Sequence, residues 1–181
     1  MKNRAMDKAQ LNSALIETPI GQMIAIASDD ALLFLKFTSS PKLDDEISKL
    51  CRRQNAVIKE TLTPLLTSIK NELTEYFKGK LCSFTIPLCP EGTEFQQHTW
   101  QSISRIPFAT KTNYAEQSMT IGRKTAFRAV SNANGANPIA IIIPCHRIVR
   151  SNGDLGGYRG GLDRKKWLLN HEKNLNAEKN S

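Results

Sequence analysis

The chain has 181 residues, enough to bury a real core as one domain or two small ones. Its 40% apolar and 23% charged residues are ordinary globular values, and no apolar run approaches the length of a membrane span. The net charge of +8 is uneven: residues 93–172 hold 11 Lys/Arg against 5 Asp/Glu, whereas residues 1–92 hold 12 against 11. Such a positive half is the footprint expected of a protein that binds phosphate backbones.

Residues 1–10 read as a frayed polar lead-in, charged but with no apolar segment behind, so no signal peptide is expected and the protein should be cytoplasmic. Cys51, Cys82, Cys89 and Cys145 lack paired-ligand spacing and read as free thiols in a reducing compartment. A zinc site from Cys82, Cys89 and His98 is disfavoured, and no metal or cofactor is expected.

Three strands are expected at Asn12–Thr18, Met23–Ser28 and Leu32–Phe37, separated by Pro19-Ile-Gly21 and Asp29-Asp30 turns. Lys42–Arg53 has helical apolar spacing with acidic residues in its first turn. Val57-Ile58 suggests a short strand. Thr63–Phe77 suggests a helix with Pro64 in its first turn and Leu65, Ile69, Leu73 and Phe77 on one stripe. Phe84–Leu88 reads as an edge strand, and Leu88-Cys-Pro-Glu-Gly-Thr93 as a linker. Thr93 can cap a helix that ends before Pro107.

Asn113–Met119 and Arg123–Ala133 are expected as two helices joined by the Gly122 turn, a helix-turn-helix pattern with Arg123, Lys124 and Arg128 on the second helix. The run Ile139-Ala-Ile-Ile-Ile143 is short, β-branched and stopped by Pro144, so it reads as a buried strand that delivers Cys145, His146 and Arg147. The glycine-rich stretch Arg150–Gly161 should be an exposed loop or wing around Tyr158 and Arg159. Asp163–Glu172 closes the chain as a helix capped by Asp163, with a disordered tail from about 173.

A thiolate nucleophile needs a base in reach and a third group to orient that base. His146 is the adjacent base, yet neighbours on a strand point apart, so a bridging water would be required. Glu172 and His171 compete as the orienting group.

Ile-Pro-Cys-His-Arg-Ile resembles the active-site signature of the O6-alkylguanine-DNA alkyltransferases, also called methylated-DNA–protein-cysteine methyltransferases. The likeness runs over about residues 94–172 and includes Phe95-Gln-Gln, Trp100, Tyr114, Arg128-Ala-Val, Asn137-Pro138, Gly156-Gly-Tyr158 and Leu168-Leu-Asn-His-Glu172. Residues 1–91 share only a layout, with Thr18-Pro-Ile-Gly21 as the clearest local match.

The resemblance implies an α+β protein. An N-terminal α+β (ribonuclease H-like) domain, 1–91, would precede a mostly helical C-terminal domain, 92–181, with helix-turn-helix and wing. The implied function is direct reversal of O6-alkylguanine, with O4-methylthymine as a second candidate, in double-stranded DNA by a monomer that could act cooperatively. Minor-groove binding, base flipping and a single turnover are part of that expectation.

In the implied roles Cys145 accepts the alkyl group, His146 deprotonates it through water, and Glu172 orients His146. Asn137 ties the turn before the acceptor and Tyr158 donates a hydrogen bond to the guanine oxygen. Tyr114 and Arg128 handle the flipped nucleotide, while Arg123, Lys124 and Ala129 lie on the DNA-binding face. Phe127, Ser131, Lys124 and the pair Gln117-Ser118 depart from the family pattern, which favours smaller or more apolar residues on these helices and often Pro in place of Lys124.

If the basic half contacts phosphates, binding to duplex DNA falls steeply as salt rises. Fluorescence anisotropy across a salt series tests this, and a flat response counts against the basic face.

Overall fold

The computed structural model describes residues 8–179. Most of the expected lead-in, residues 1–7, therefore lies outside the described residues, but Ala9 and Gln10 are already in a strand. β1 (Ala9–Ile16), β2 (Met23–Ala27), β3 (Leu32–Phe37) and β4 (Ala56–Glu60) form one sheet in the order β3-β2-β1-β4. β1 pairs antiparallel with β2 and parallel with β4, while β2 pairs antiparallel with β3. Helix α1 (Leu43–Gln54) supplies the crossover that parallel pairing requires.

Alternation along β2 explains why both faces of the sheet are covered. Met23, Ala25 and Ala27 enter the main core, and Ile26 enters a smaller cluster with Leu11, Phe34 and Leu50 beneath α1. On the main-core face lies α2 (Pro64–Phe77), whose N-cap Thr63 accepts from the Leu66 amide. Its buried stripe is Leu66, Ile69, Leu73 and Tyr76. The expected stripe from Leu65 to Phe77 is thus turned by one residue at both ends.

Phe84–Leu88 does not form the expected strand. Pro87 has no amide to donate, and contact with β3 is reduced to one bridge, Leu32 to Leu88. After it, α3 (Glu94–Ser104) starts at a capping box in which Thr93 accepts from Gln96 and Gln96 accepts from the Thr93 amide. β5 (Thr112–Asn113) leads into α4 (Tyr114–Thr120), capped by Asn113, and α5 (Phe127–Gly135) follows.

Arg123 and Lys124 precede α5 rather than lying on it, which corrects the expected helix start. The reason is local: Gly122 has φ 71°, and both the amide and the carbonyl of Arg123 are bonded to Ser118, so a turn satisfies this backbone before helix can begin.

Ile139–Ile143 is also not a strand. Ile139 makes a single bridge to Leu35, Ala140 donates to the Leu35 carbonyl, and Ile141 turns away with φ 71°. A continuous apolar run cannot by itself distinguish a buried strand from a buried turn, and here the β-branched residues pack as irregular chain in the core. Cys145–Arg147 then form one 3-10 turn, followed by β6 (Ile148–Val149), which pairs with β5.

α6 (Leu162–Lys179) overturns the expected tail as far as Lys179, and residues 180–181 lie outside the described residues. No glycine or proline follows Glu172, and Leu175 packs where a side chain at Gly79 would have to stand, so the helix has both propensity and a partner. Asp163 sits within its first turn rather than capping it. Among the described residues no helix is long and apolar enough to cross a membrane.

Gln117 shows how the fold absorbs one departure from the family pattern. Its amide nitrogen reaches Thr99 O and Ser102 Oγ on α3, while Gln117 and Asn134 exchange bonds of 3.2 and 2.7 Å between α4 and α5. Asn134→Leu strands a buried amide and should cost about 1–3 kcal/mol in urea unfolding, whereas the double variant Gln117→Leu/Asn134→Leu should regain most of it.

Candidate active site

Cys145 opens the 3-10 turn at the floor of a cavity of about 380 Å³. Tyr114, Ser131, Asn137 and Tyr158 line this space, and Lys36, Phe37 and Ser40 close it from the sheet half. The tight turn explains the divergence of neighbouring side chains. Cys145 faces the cavity, whereas His146 is fully buried behind it.

Asn137 holds this geometry through one side chain. Its amide nitrogen donates to Ile143 O at 2.8 Å and to Cys145 Sγ at 3.2 Å, and its oxygen accepts from the Ile139 amide. The buried irregular segment before the cysteine is therefore satisfied by local turn bonds, two bonds to Leu35 and this side chain, where a ladder would have served a strand. Burial pushes the Cys145 thiol up, and the Asn137 bond with the lysines 165 and 36 only partly opposes it. At neutral pH the resting sulfur is a thiol that needs a base.

His146 Nε2 lies 2.8 Å from Glu172 Oε1, while its Nδ1 has no protein partner among the described residues. Burial lowers its pKa against the pull of Glu172, so the imidazole is neutral and able to accept a proton. Glu172 is the hub of the cluster. Tyr76 and Arg147 also donate to Oε1, while Arg147 Nε and the Ala109 amide donate to Oε2. Burial alone would raise this carboxyl, but the bonds from His146 and Arg147 outweigh it and bring it down to about 2.

His171, the competing orienter, is elsewhere: it bonds Tyr76 O and stacks on Trp167. Arg147 turns from the cysteine to Glu172 and Ile106 O, with Phe108 against its guanidinium.

Sequence reasoning missed Tyr76, Lys36 and Lys165. Tyr76 stands on the α2 stripe at helical spacing and could have been found there, but nothing in the sequence signals a buried lysine. Lys165 is fully buried, donates to Ile148 O and Gly157 O, and is lowered to about 8 by burial. Lys36 pairs with Glu46, which also accepts from Arg159 at 2.9 Å, so the residue after Tyr158 is tied to the sheet half.

The Tyr158 hydroxyl is buried with no hydrogen-bond partner among the described residues, and burial keeps the phenol protonated far above its usual range. Tyr114 is also on the cavity wall. Arg123, Lys124, Arg128 and Ala129 are exposed on and before the first turn of α5.

Two adjoining family descriptions match this chain: the 6-O-methylguanine DNA methyltransferase ribonuclease-like domain over residues 11–90, and the DNA binding domain of the same family over 94–174. A Methanosarcina barkeri methylated-DNA–protein-cysteine methyltransferase is 40% identical over 160 residues, 88% of this chain and 96% of the relative. The chain belongs to the 6-O-methylguanine DNA methyltransferase family. The Mycobacterium tuberculosis O6-methylguanine methyltransferase superposes with a TM-score of 0.78 at 34% identity, over 91% of this chain and 93% of the other. A crystal structure of the M. tuberculosis protein in complex with DNA gives the same TM-score at 33% identity, over 92% and 94%. This methyltransferase fold is thus mixed α+β, with an N-terminal sheet and a helical C-terminal region.

The lowered Glu172 pKa fixes a pH dependence. Its folded value lies below the unfolded one, so its stabilisation is present above about pH 4.5 and is lost as pH falls towards about 2. Acid titration followed by circular dichroism should show this loss, roughly 3 kcal/mol at about 1.4 kcal/mol per unit, and Glu172→Gln should lack it.

Proposed function

We propose that this chain is a methylated-DNA–protein-cysteine methyltransferase that repairs O6-alkylguanine in duplex DNA by direct reversal, with Cys145 as acceptor. The observation that carries this reading is the thiol at the cavity floor, bonded to Asn137, with a neutral imidazole and an ionised carboxylate buried behind it. The family's name and the positive C-terminal half support the same conclusion.

In this reading water relays the proton from Cys145 Sγ to His146 Nδ1, the ring nitrogen with no partner among the described residues. The imidazolium that forms lies against the Glu172 carboxylate, which stabilises it. The thiolate attacks the alkyl carbon in line, an S–C bond forms, and the O6–C bond breaks with its electron pair on the guanine oxygen. Tyr158, a protonated phenol with a free hydroxyl, donates a hydrogen bond to that oxygen. A thioether has no ready way back, so one molecule repairs one lesion.

An O6-alkyl group inside a duplex is out of reach of a cavity, so the nucleotide must be extruded, at a cost of a few kcal/mol. α4 and α5 serve as the helix-turn-helix in the minor groove, and the Arg150–Gly161 loop as the wing. Arg128 fills the vacated stack, Tyr114 contacts the flipped nucleotide, and Arg123, Lys124 and Ala129 lie against the backbone and groove. The division at residue 91, into a ribonuclease H-like half and a DNA-binding half, belongs to this reading, as do O4-methylthymine as a second substrate and action as a monomer in the cytoplasm.

Intact mass after incubation with duplex DNA carrying one O6-methylguanine should rise by one methyl group. Peptide mapping should place it on Cys145, and Cys145→Ala should show none. Tight DNA binding with unchanged mass in the parent protein overturns the repair reading.

A further inference from the structure

Phe127 begins α5 with its side chain half exposed, an uncommon place for a large aromatic ring. Its position on the helix matters more than its exposure. Ser131 and Gly135, at steps of four along the same face, both line the cavity that holds Cys145. Phe127 is therefore the next station of that stripe, one helical turn of about 5.4 Å beyond the cavity lining.

The ring does not stand alone. The Arg128 guanidinium carbon lies 6.0 Å from its centroid, within cation–π range, and Arg123 and Lys124 are exposed in the preceding turn. An apolar ring beside a cation, on a basic face and at the rim of the acceptor cavity, complements a stack of bases flanked by phosphates. Aromatic rings are sequence-tolerant stacking platforms for nucleobases, and apolar wedges unstack a base step and bend the duplex.

We propose that Phe127 is a base-stacking wedge: on lesion DNA its ring enters the stack beside Arg128, against the base pair that borders the position left by the extruded nucleotide. The inference rests on the repair reading above and adds to it a second inserted side chain, apolar where Arg128 is charged. Arg128 held on the ring is also pre-ordered, so less side-chain freedom is lost when both enter the duplex.

The test measures binding of a duplex with one O6-methylguanine and a neighbouring 2-aminopurine, in a Cys145→Ala background that prevents turnover. Phe127→Ala, Phe127→Leu and Phe127→Trp are compared, each first shown to keep the parent's thermal midpoint. The expected order of affinity is Trp and Phe above Leu above Ala, with Ala weaker by about 10- to 100-fold, the range of one base–aromatic stack. The 2-aminopurine fluorescence change on binding should shrink in Ala and persist in Trp.

Salt separates the two wedges. Phe127→Ala should leave the slope of log K against log salt unchanged, whereas Arg128→Ala should reduce it. Affinity in Phe127→Ala equal to or tighter than the parent's overturns the wedge, as does Leu binding as well as Phe. If the parent protein fails to bind the lesion duplex at all, the repair reading falls first and the wedge with it.

Discussion

The buried Glu172 carboxylate is the constraint on which the site depends. A charge removed from water is tolerable only where hydrogen bonds replace its hydration. Here Tyr76, His146, Arg147 and the Ala109 amide supply them, from both halves of the chain. Satisfying the carboxylate also orients the imidazole. It occupies Nε2 of His146 and leaves Nδ1 as the position at which the ring can take a proton. It also removes Arg147 from the cysteine, so the one guanidinium next to Cys145 in sequence does not set the thiol's acidity.

The sheet half is consequently part of the site. Tyr76 reaches Glu172 from α2, Lys36 and Phe37 of β3 face the cavity that holds Cys145, and Glu46 of α1 binds the residue after Tyr158. One apolar cluster runs through both halves, from Met23 and Leu35 to Ile139, Ile148 and Leu168. A half without the cysteine segment still decides where Cys145, Tyr158 and Glu172 stand.

Much of the architecture was legible because period and caps are local signals. The three N-terminal strands, α2 with Thr63 and α3 with Thr93 follow from alternation, helical spacing and capping residues. Cys145, Asn137, Tyr158 and Glu172 stand out as candidates through the family signature, and the structure places them around one cavity and its rear wall. What failed was what depends on distant partners. The Ile139–Ile143 run looks like a strand to any pattern rule, yet turn bonds, Leu35 and the Asn137 side chain take the place of a ladder. Arg123 has helical spacing in the sequence, but Ser118 bonds both its amide and its carbonyl and holds it in a turn before α5. Buried Lys165 and Lys36 carry no periodic mark, since a lysine on a helix or strand normally reads as a solvent face.

The bridge from Leu35 to Ile139 joins positions more than a hundred residues apart, and the sheet residue belongs to the part of the chain made first. On the ribosome β1–β3 and α2 emerge well before the cysteine segment, and earlier parts of a chain generally fold ahead of later ones. The edge of β3 thus offers Leu35 as the pairing position for an otherwise irregular, very apolar stretch that begins at Ile139. Ile139 meets this edge, and the apolar residues that follow it are covered by the core shared between the two halves. Order of synthesis thus puts the sheet half ahead of the cysteine segment that packs against it.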